Sequence, residues 1–187
     1  TEYQFTKNIR SSVELALSNQ DANTFSDLDA GDNKGLAVKW KFRSNNALNK
    51  KESIRLRTNA NFEFQEDNFR AIQWFRSVEF DRDWNVRNKP FTGHQYLSNV
   101  GVNFAGKKFG SVGYDFENFI WGQDYAGFRN NLTFDVKKKG FKGKANASWL
   151  LSNGQEQTSF LRHNTYFSQN IKVLKVGFED IHEQNEK

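Results

Sequence analysis

The chain has 187 residues, no cysteine, a single proline and a formal net charge of +5. These numbers exclude disulfides and thiolate metal sites, and no apolar run approaches the roughly 18 residues of a transmembrane helix. Basic and acidic residues are mixed along the chain rather than gathered in a stripe, so we expect no nucleic-acid partner.

Apolar and polar residues alternate along most of the chain, and this period of two predicts β-strands. The cleanest run covers residues 54–64, from Ile54 to Phe64. We expect residues 1–10 to lengthen the short first strand to fifteen residues, and a change of parity between Val173 and Leu174 predicts a bulge in the last strand. In chain order the predicted strands lie near residues 13–17, 36–42, 54–64, 72–80, 99–104, 112–116, 128–136, 141–149, 159–168 and 170–180.

The connections between these strands are of two lengths. Residues 106–108, 138–140 and 169–170 resemble tight turns, and residues 85–95, 119–127 and 152–158 form longer connections. Short and long connections alternate in the second half of the chain, which is typical of antiparallel hairpins. We therefore predict an all-β fold: an antiparallel up-and-down meander of about ten strands, forming a single sheet or barrel unit over residues 1–187.

Such two-faced strands fit either a soluble fold with its apolar face inward or a membrane barrel with that face outward. Several predicted strands reach the roughly 9–11 residues that cross a bilayer. The polar face carries both charges and suits a hydrated lumen favouring anions, with these candidate residues: Arg55, Arg57, Glu63, Asp115, Glu117, Arg129, Asp135, Lys142 and Lys144. Aromatic residues recur at strand ends, as in interfacial girdles: Phe42, Phe64, Phe80, Trp84, Phe116, Trp121, Phe128, Phe141, Trp149, Phe167 and Phe178.

The alternating segments 54–64, 98–118, 128–149 and 159–180, with their polar turns, resemble bacterial outer-membrane β-barrel proteins. The Phe- and Asn-rich composition and the loop Asp27–Asn33 are similar to the large envelope barrels of Bacteroidota-type bacteria. The resemblance implies a transmembrane barrel of the cell envelope, porin-like, that contributes the wall of a pore, transporter, or secretion or adhesion scaffold.

Two features indicate that the barrel is larger than this chain. Barrels of this kind usually end on an aromatic residue, whereas this sequence ends on residues 182–187, which are polar or charged. The first and last strands would also leave open edges. We therefore expect outer-membrane lipid and further strands of the same parent protein as partners.

A second hypothesis is a soluble periplasmic or extracellular β-module that binds carbohydrate. Here the apolar alternation forms the core, and Trp84 and Trp121, in connections, offer rings on which sugars can stack. This alternative adds polysaccharide as a partner.

Other chemistry is weaker in the sequence. Asp27, Asp29 and Asp32 offer oxygen ligands for calcium but depart from the EF-hand pattern. Asp115 and Glu117 share a strand face at a spacing that could serve a glycosidase. The pairs Asp81/Asp83 and Asp180/His182 are similar in spacing to those of omptin-type barrel proteases. We expect a non-enzymatic protein with no cofactor.

Overall fold

The computed structural model describes residues 1–20, 33–49, 51, 53–73 and 75–186. They form ten β-strands and one four-residue helix, α1 (Phe80–Asp83), between the fourth and fifth strands. The strands are β1 (Glu2–Thr6), β2 (Ile9–Asn19), β3 (Lys34–Ala47), β4 (Ile54–Gln65), β5 (Gln95–Gly106), β6 (Gly110–Trp121), β7 (Tyr125–Lys138), β8 (Phe141–Asn153), β9 (Gln157–Ile171) and β10 (Leu174–Glu186).

All ten strands belong to one open sheet, in which each strand pairs antiparallel with its neighbours in sequence. The predicted antiparallel up-and-down meander of ten strands is therefore confirmed, with β1 and β10 at the two edges. Hairpins and antiparallel neighbours follow from the short turns, because two- and three-residue connections leave no room for a crossover. Among the described residues, no helix is long and apolar enough to cross a membrane.

Three sequence predictions about individual strands are wrong. The strand predicted for residues 72–80 is absent from the described part of that segment, which instead leads into α1. The leader adds only Ile9 and Arg10 to the first strand and not its whole length, because it turns at Lys7 and Asn8 and forms β1 as a separate strand. The parity change near Val173 is the turn between β9 and β10, where Lys172 has a φ of 54°, and not a bulge within one strand.

The connection lengths also differ from the prediction. The predicted long connections at 119–127 and 152–158 are tight turns, because β6 runs to Trp121 and β8 to Asn153. The long connections instead follow β2 and β4, at the same end of the sheet. The second half of the chain is thus a series of tight hairpins.

The strand register sorts the side chains onto two faces. Directly paired residues share a face, and one paired row runs from Arg43 through Asn59, Gly101 and Asp115 to Asn131. We call the side of this row the polar face and the opposite side the apolar face. The apolar face carries, among others, these exposed residues: Val13, Leu15, Trp40, Phe62, Val100, Val102, Tyr114, Phe116, Phe128, Leu132, Trp149, Leu161, Phe167 and Phe178.

The buried core lies on the polar face and not on the apolar one. The described residues between β4 and β5, 66–73 and 75–94, fold back over one end of the polar face; we call them the cover segment. The main cluster of buried hydrophobic side chains joins this segment to β6, β7 and β8. The apolar side chains that alternate along the strands therefore do not form the core of the described structure.

Candidate functional site: the polar face and its cover segment

Aromatic packing holds the cover segment to the sheet. Trp84 is 1% exposed and its ring lies 5.5 Å from that of Phe119, which is fully buried on β6. Phe80 packs edge-on against Phe119 at 5.1 Å. Phe91 packs near Tyr125, with ring centroids 5.4 Å apart. These contacts place one face of the cover segment in a water-excluded layer above the sheet.

Gly127 on β7 permits this close approach. A Cβ at this position would lie 3.0 Å from the Trp84 ring and 2.5 Å from the Tyr125 hydroxyl oxygen. The Tyr125 hydroxyl donates a hydrogen bond to the backbone carbonyl of Trp84. The missing side chain and this hydrogen bond together fix the depth at which the Trp84 ring sits.

The first charged anchor of the cover segment is Arg76. Its guanidinium donates to Glu63 Oε1 from Nη2 at 2.8 Å and from Nε at 3.1 Å, and to Gln95 Oε1 at 2.5 Å. Glu63 is only 7% exposed and also pairs with Lys39, at 3.2 Å from Nζ to Oε2. The Arg76 guanidinium lies 4.4 Å from the centre of the Phe80 ring, which adds a cation–π contact. Two cations therefore compensate one buried carboxylate.

The second charged anchor is Asp83 at the end of α1. Its carboxylate lies 3.8 Å from Arg129 on β7 and 3.8 Å from Arg162 on β9. Arg129 also donates to Glu117 from Nε at 2.8 Å, and its guanidinium lies 4.6 Å from the Trp84 ring centre. Asp83 Oδ1 is buried and has no hydrogen-bond partner within the described residues. The anchor is therefore electrostatic, with long charge separations.

An amide cluster lies next to these anchors on the polar face. Asn59 and Asn61 both donate to Asn99 Oδ1, at 2.6 and 3.0 Å. Asp115 accepts longer hydrogen bonds from Asn59 and Asn99, at 3.4 and 3.5 Å. Gly101 makes room for them, because a Cβ there would overlap Asp115 and approach Asn59.

The structure places all nine candidate lumen residues on the polar face. Most of them have partners there. Arg55 donates to Asn45 Oδ1 at 2.8 Å, Lys144 lies 3.6 Å from Asp135, and the Lys142 ammonium lies 5.7 Å from the centre of the Tyr166 ring.

Five of the nine residues are cations that we expected to act together in favouring anions. In the structure they are dispersed. Arg129 pairs with Glu117, Lys144 with Asp135, and Arg55 with an amide. Arg57 and Lys142 make no ion pair or hydrogen bond with another described residue, and Lys142 has only the contact with the Tyr166 ring.

The two tryptophans predicted to stack on sugars are packed against other aromatic rings. Trp84 is buried, and Trp121 is half-buried against Phe91 and Phe119, at 5.9 and 6.2 Å between ring centroids. Both rings belong to the packing under the cover segment. Trp84 has no exposed ring face on which a sugar could stack, and Phe80, Trp84 and Trp121 do not contribute to a girdle on the apolar face.

The structure does not assemble the weaker enzyme candidates. Asp81 and Asp83 lie in α1 over the polar face, whereas Asp180 and His182 project from the apolar face of β10. His163 lies 3.6 Å from Asp180, and its ring stacks on His182 at 5.5 Å. Asp115 is held by amides, and Glu117 by Arg129. The calcium candidates Asp27, Asp29 and Asp32 lie outside the described residues, and the described ones contain no cluster of three metal-binding side chains.

A cleft of about 740 Å³ opens between the start of the cover segment and the polar face of β2 and β3. Lys39 and Glu63 line it from the sheet, and Phe69, Ile72 and Phe75 line it from the cover segment. The cover segment thus leaves part of the polar face open to solvent.

On the apolar face, polar atoms of aromatic side chains find partners within the sheet. Trp40 Nε1 donates to Ser11 Oγ at 2.9 Å, and Trp149 Nε1 donates to Ser159 Oγ at 3.0 Å. The Tyr114 hydroxyl donates to Asn130 Oδ1 at 2.6 Å. These side chains therefore make their hydrogen bonds without water.

Sequence reasoning missed the cover segment, although a signal was present. Several apolar residues occupy polar-face positions in their strands, and all of them lie at the covered end: Leu97, Phe119, Trp121, Tyr125, Leu150 and Phe160. Residues that break the alternation thus mark where another segment packs.

Comparison with family models, with curated proteins and with solved structures found no match to this chain.

Proposed function

We propose that this chain forms part of the wall of a bacterial outer-membrane β-barrel that encloses a pore. In this arrangement the apolar face contacts lipid and the polar face lines a hydrated lumen. The cover segment narrows that lumen at one end. The observation that carries the proposal is the position of the buried core: it lies on the polar face, and the broad apolar face is left without a protein layer among the described residues.

The extent of the exposed apolar surface supports a lipid environment. Soluble monomers rarely expose apolar patches beyond a few hundred Å². Here apolar side chains that are more than a third exposed continue across the apolar face from Leu15 on β2 to Phe178 on β10. Transmembrane barrels present this pattern, with apolar residues outward and polar residues inward along every strand.

The distribution of charge supports the same orientation. From β2 to β8, the only charged side chains on the apolar face are Lys34 and Lys138, each within one residue of a strand end. Long cationic side chains at such ends can reach the headgroups. The indoles of Trp40 and Trp149 and the hydroxyl of Tyr114 on this face are bonded within the sheet, so these polar atoms are not left unsatisfied in hydrocarbon.

The open edges fit a wall that continues beyond these ten strands. Every residue of β10 is exposed, and its outer edge pairs with no described strand. A bilayer offers no water to satisfy unpaired backbone groups. In the membrane, further strands of the same parent protein would pair with β1 and β10 and close the barrel.

Tryptophan quenching in vesicles of brominated lipid tests this proposal. Trp40 and Trp149 lie on the apolar face and are 37% and 46% exposed, whereas Trp84 is buried on the other side. We expect lipid bromine to quench the intrinsic fluorescence, and Trp40→Phe and Trp149→Phe each to remove part of the quenched signal. The control Trp84→Phe should remove only unquenched signal. A chain that stays monodisperse in buffer without detergent, and whose fluorescence brominated lipid leaves unchanged, would contradict the proposal.

A further inference from the structure

We propose that the polar face carries a binding site for a phosphate group at its uncovered end, formed by Arg10, Arg43 and Arg57. We call these three residues the arginine cluster. The inference rests on the proposed function in one respect, namely that the polar face lines a lumen that solutes can enter. It adds a class of solute: small molecules that carry a phosphate.

The strand register brings the three guanidinium groups to one place. Arg10 on β2 is directly paired with Arg43 on β3. Arg43 is directly paired with Asn59 on β4, so Arg57 is its diagonal neighbour. Direct neighbours in an antiparallel sheet have Cβ atoms about 5 Å apart and diagonal neighbours about 7–8 Å apart. One small anion can therefore contact at least two of these side chains.

The cluster has a single carboxylate partner, and that one is exposed. Arg43 and Arg57 are exposed and make no ion pair or hydrogen bond with any other described residue. Arg10 has only Glu2, at 3.9 Å and with both side chains largely exposed. Asp115, which lies on the same face two strands beyond Arg57, is held by the amide cluster.

Neighbouring cations on β3 show that the lack of partners is local. Lys39 pairs with Glu63 at 3.2 Å, and Lys41 pairs with Glu14 at 3.2 Å. Arg43, the next residue on the same face, meets Arg10 and Asn59 instead of a carboxylate. Like charges placed directly opposite each other are destabilising, and a bound anion would relieve this repulsion.

The surroundings suit a tetrahedral oxyanion. A cleft of about 540 Å³ at this position is lined by all three arginines, by Lys7 and by amides that include Asn45 and Asn61. Guanidinium groups bind phosphate through paired N–H donors, and amides supply further donors. The cleft lies beside the β1–β2 turn, away from the cover segment, so a solute reaches it without displacing that segment.

Calorimetric titration of the whole chain in detergent micelles at low ionic strength tests the site, because salt screens exposed charges. The probes are inorganic phosphate, glucose 6-phosphate and chloride. We expect both phosphate compounds to bind and chloride not to bind. Arg43→Gln and Arg57→Gln should each weaken phosphate binding about tenfold to hundredfold, and Arg43→Lys should restore part of the affinity.

Lys144→Gln is the matched control, since it removes one positive charge from the same face at a residue that pairs with Asp135. We expect it to leave phosphate affinity within about twofold. Equal losses in the control and the arginine variants, or no phosphate binding by the wild-type chain, would overturn the inference. If inorganic phosphate binds and glucose 6-phosphate does not, the site takes the free ion alone, and the proposed solute class is wrong.

Quenching by brominated lipid separates this inference from the proposed function. Phosphate binding that depends on the arginine cluster, in a chain whose fluorescence brominated lipid leaves unchanged, sustains the site and refutes the membrane wall. Quenching by brominated lipid without such phosphate binding refutes the site alone.

Discussion

Replacing Trp84 with alanine should release the cover segment while leaving the sheet paired. The Trp84 ring is 1% exposed and packs against Phe80 and Phe119, with the Arg129 guanidinium 4.6 Å from its centre. Removing a buried tryptophan side chain costs about 3–5 kcal/mol. Because the strand ladders do not depend on this ring, we expect the loss to fall on the local opening of the cover segment.

Amide hydrogen exchange of the chain in detergent measures that opening. The amides of Trp84, Asn85 and Val86 donate to carbonyls within the segment, and the Val86 bond to Asp81 is 2.8 Å long. A loss of about 3–5 kcal/mol corresponds to exchange roughly a hundredfold to several thousandfold faster at these amides. Amides in the β5–β6 ladder should keep their protection.

Trp149→Ala is the matched control, because it removes the same ring from the apolar face, where Trp149 is 46% exposed. It should leave exchange in the cover segment unchanged. If Trp84→Ala changes exchange there by no more than a few fold, the buried cluster does not hold the segment. If protection is lost equally in β5 and β6, the cover segment and the sheet unfold as one unit, and the reasoning is refuted.

Three further predictions follow from single positions. Glu63→Gln should lower the free energy of unfolding by about 3–5 kcal/mol, because it leaves the partly buried Arg76 guanidinium without its carboxylate. The exposed control Glu14→Gln should cost under about 1 kcal/mol, and equal losses in melts followed by near-ultraviolet circular dichroism would contradict the burial argument. Leu132→Arg, on the apolar face, should lower the free energy of unfolding in a bilayer by about 2–4 kcal/mol, while Asn131→Arg, on the polar face, should leave it nearly unchanged. If urea unfolding from vesicles shows Asn131→Arg to be the more destabilising variant, the apolar face does not contact lipid. Gly35→Ala should loosen the start of the cover segment, because a Cβ there would overlap the backbone of residues 68 and 69; unchanged protease resistance of that segment would show that the close approach does not matter.

Alternation along single strands was sufficient to predict most of the fold. In residues 54–64 the parity is unbroken, and β4 occupies Ile54–Gln65 with the expected faces. Parity depends only on the geometry of an extended chain, so a single strand carries the information. The meander followed because tight turns force antiparallel neighbours.

The cover segment could not be predicted in the same way. Ile72, Val78 and Phe80 alternate as they would in a strand, yet Phe80 is buried against Phe119, about forty residues further along the chain. The choice between strand and cover depends on that long-range contact, which local pattern does not contain. The anchors are equally non-local, since Arg76 meets Glu63 and Asp83 meets Arg129.

Parity alone predicts which residues lie on the polar face, but it does not predict which partners they bind. Arg129 and Arg57 both lie on the polar face, as their parity predicts. One is held by two carboxylates and the other by none of the described residues. The arginine cluster also needs Arg10 and Arg43, which come together only through the register of β2 and β3.

The central claim is that the two faces of the sheet meet different solvents, and a spin-label scan along β5 in lipid vesicles tests it most directly. Because the chain has no cysteine, single-cysteine variants at residues 99, 100, 102, 103 and 104 give unambiguous label sites. Gly101 is omitted, since a Cβ there would overlap the Asp115 carboxylate. The account predicts that labels at Val100, Val102 and Phe104 collide mainly with oxygen dissolved in the bilayer, and that those at Asn99 and Asn103 collide mainly with a water-soluble nickel chelate. Labels that show no alternation, or nickel access at all five sites, would contradict it.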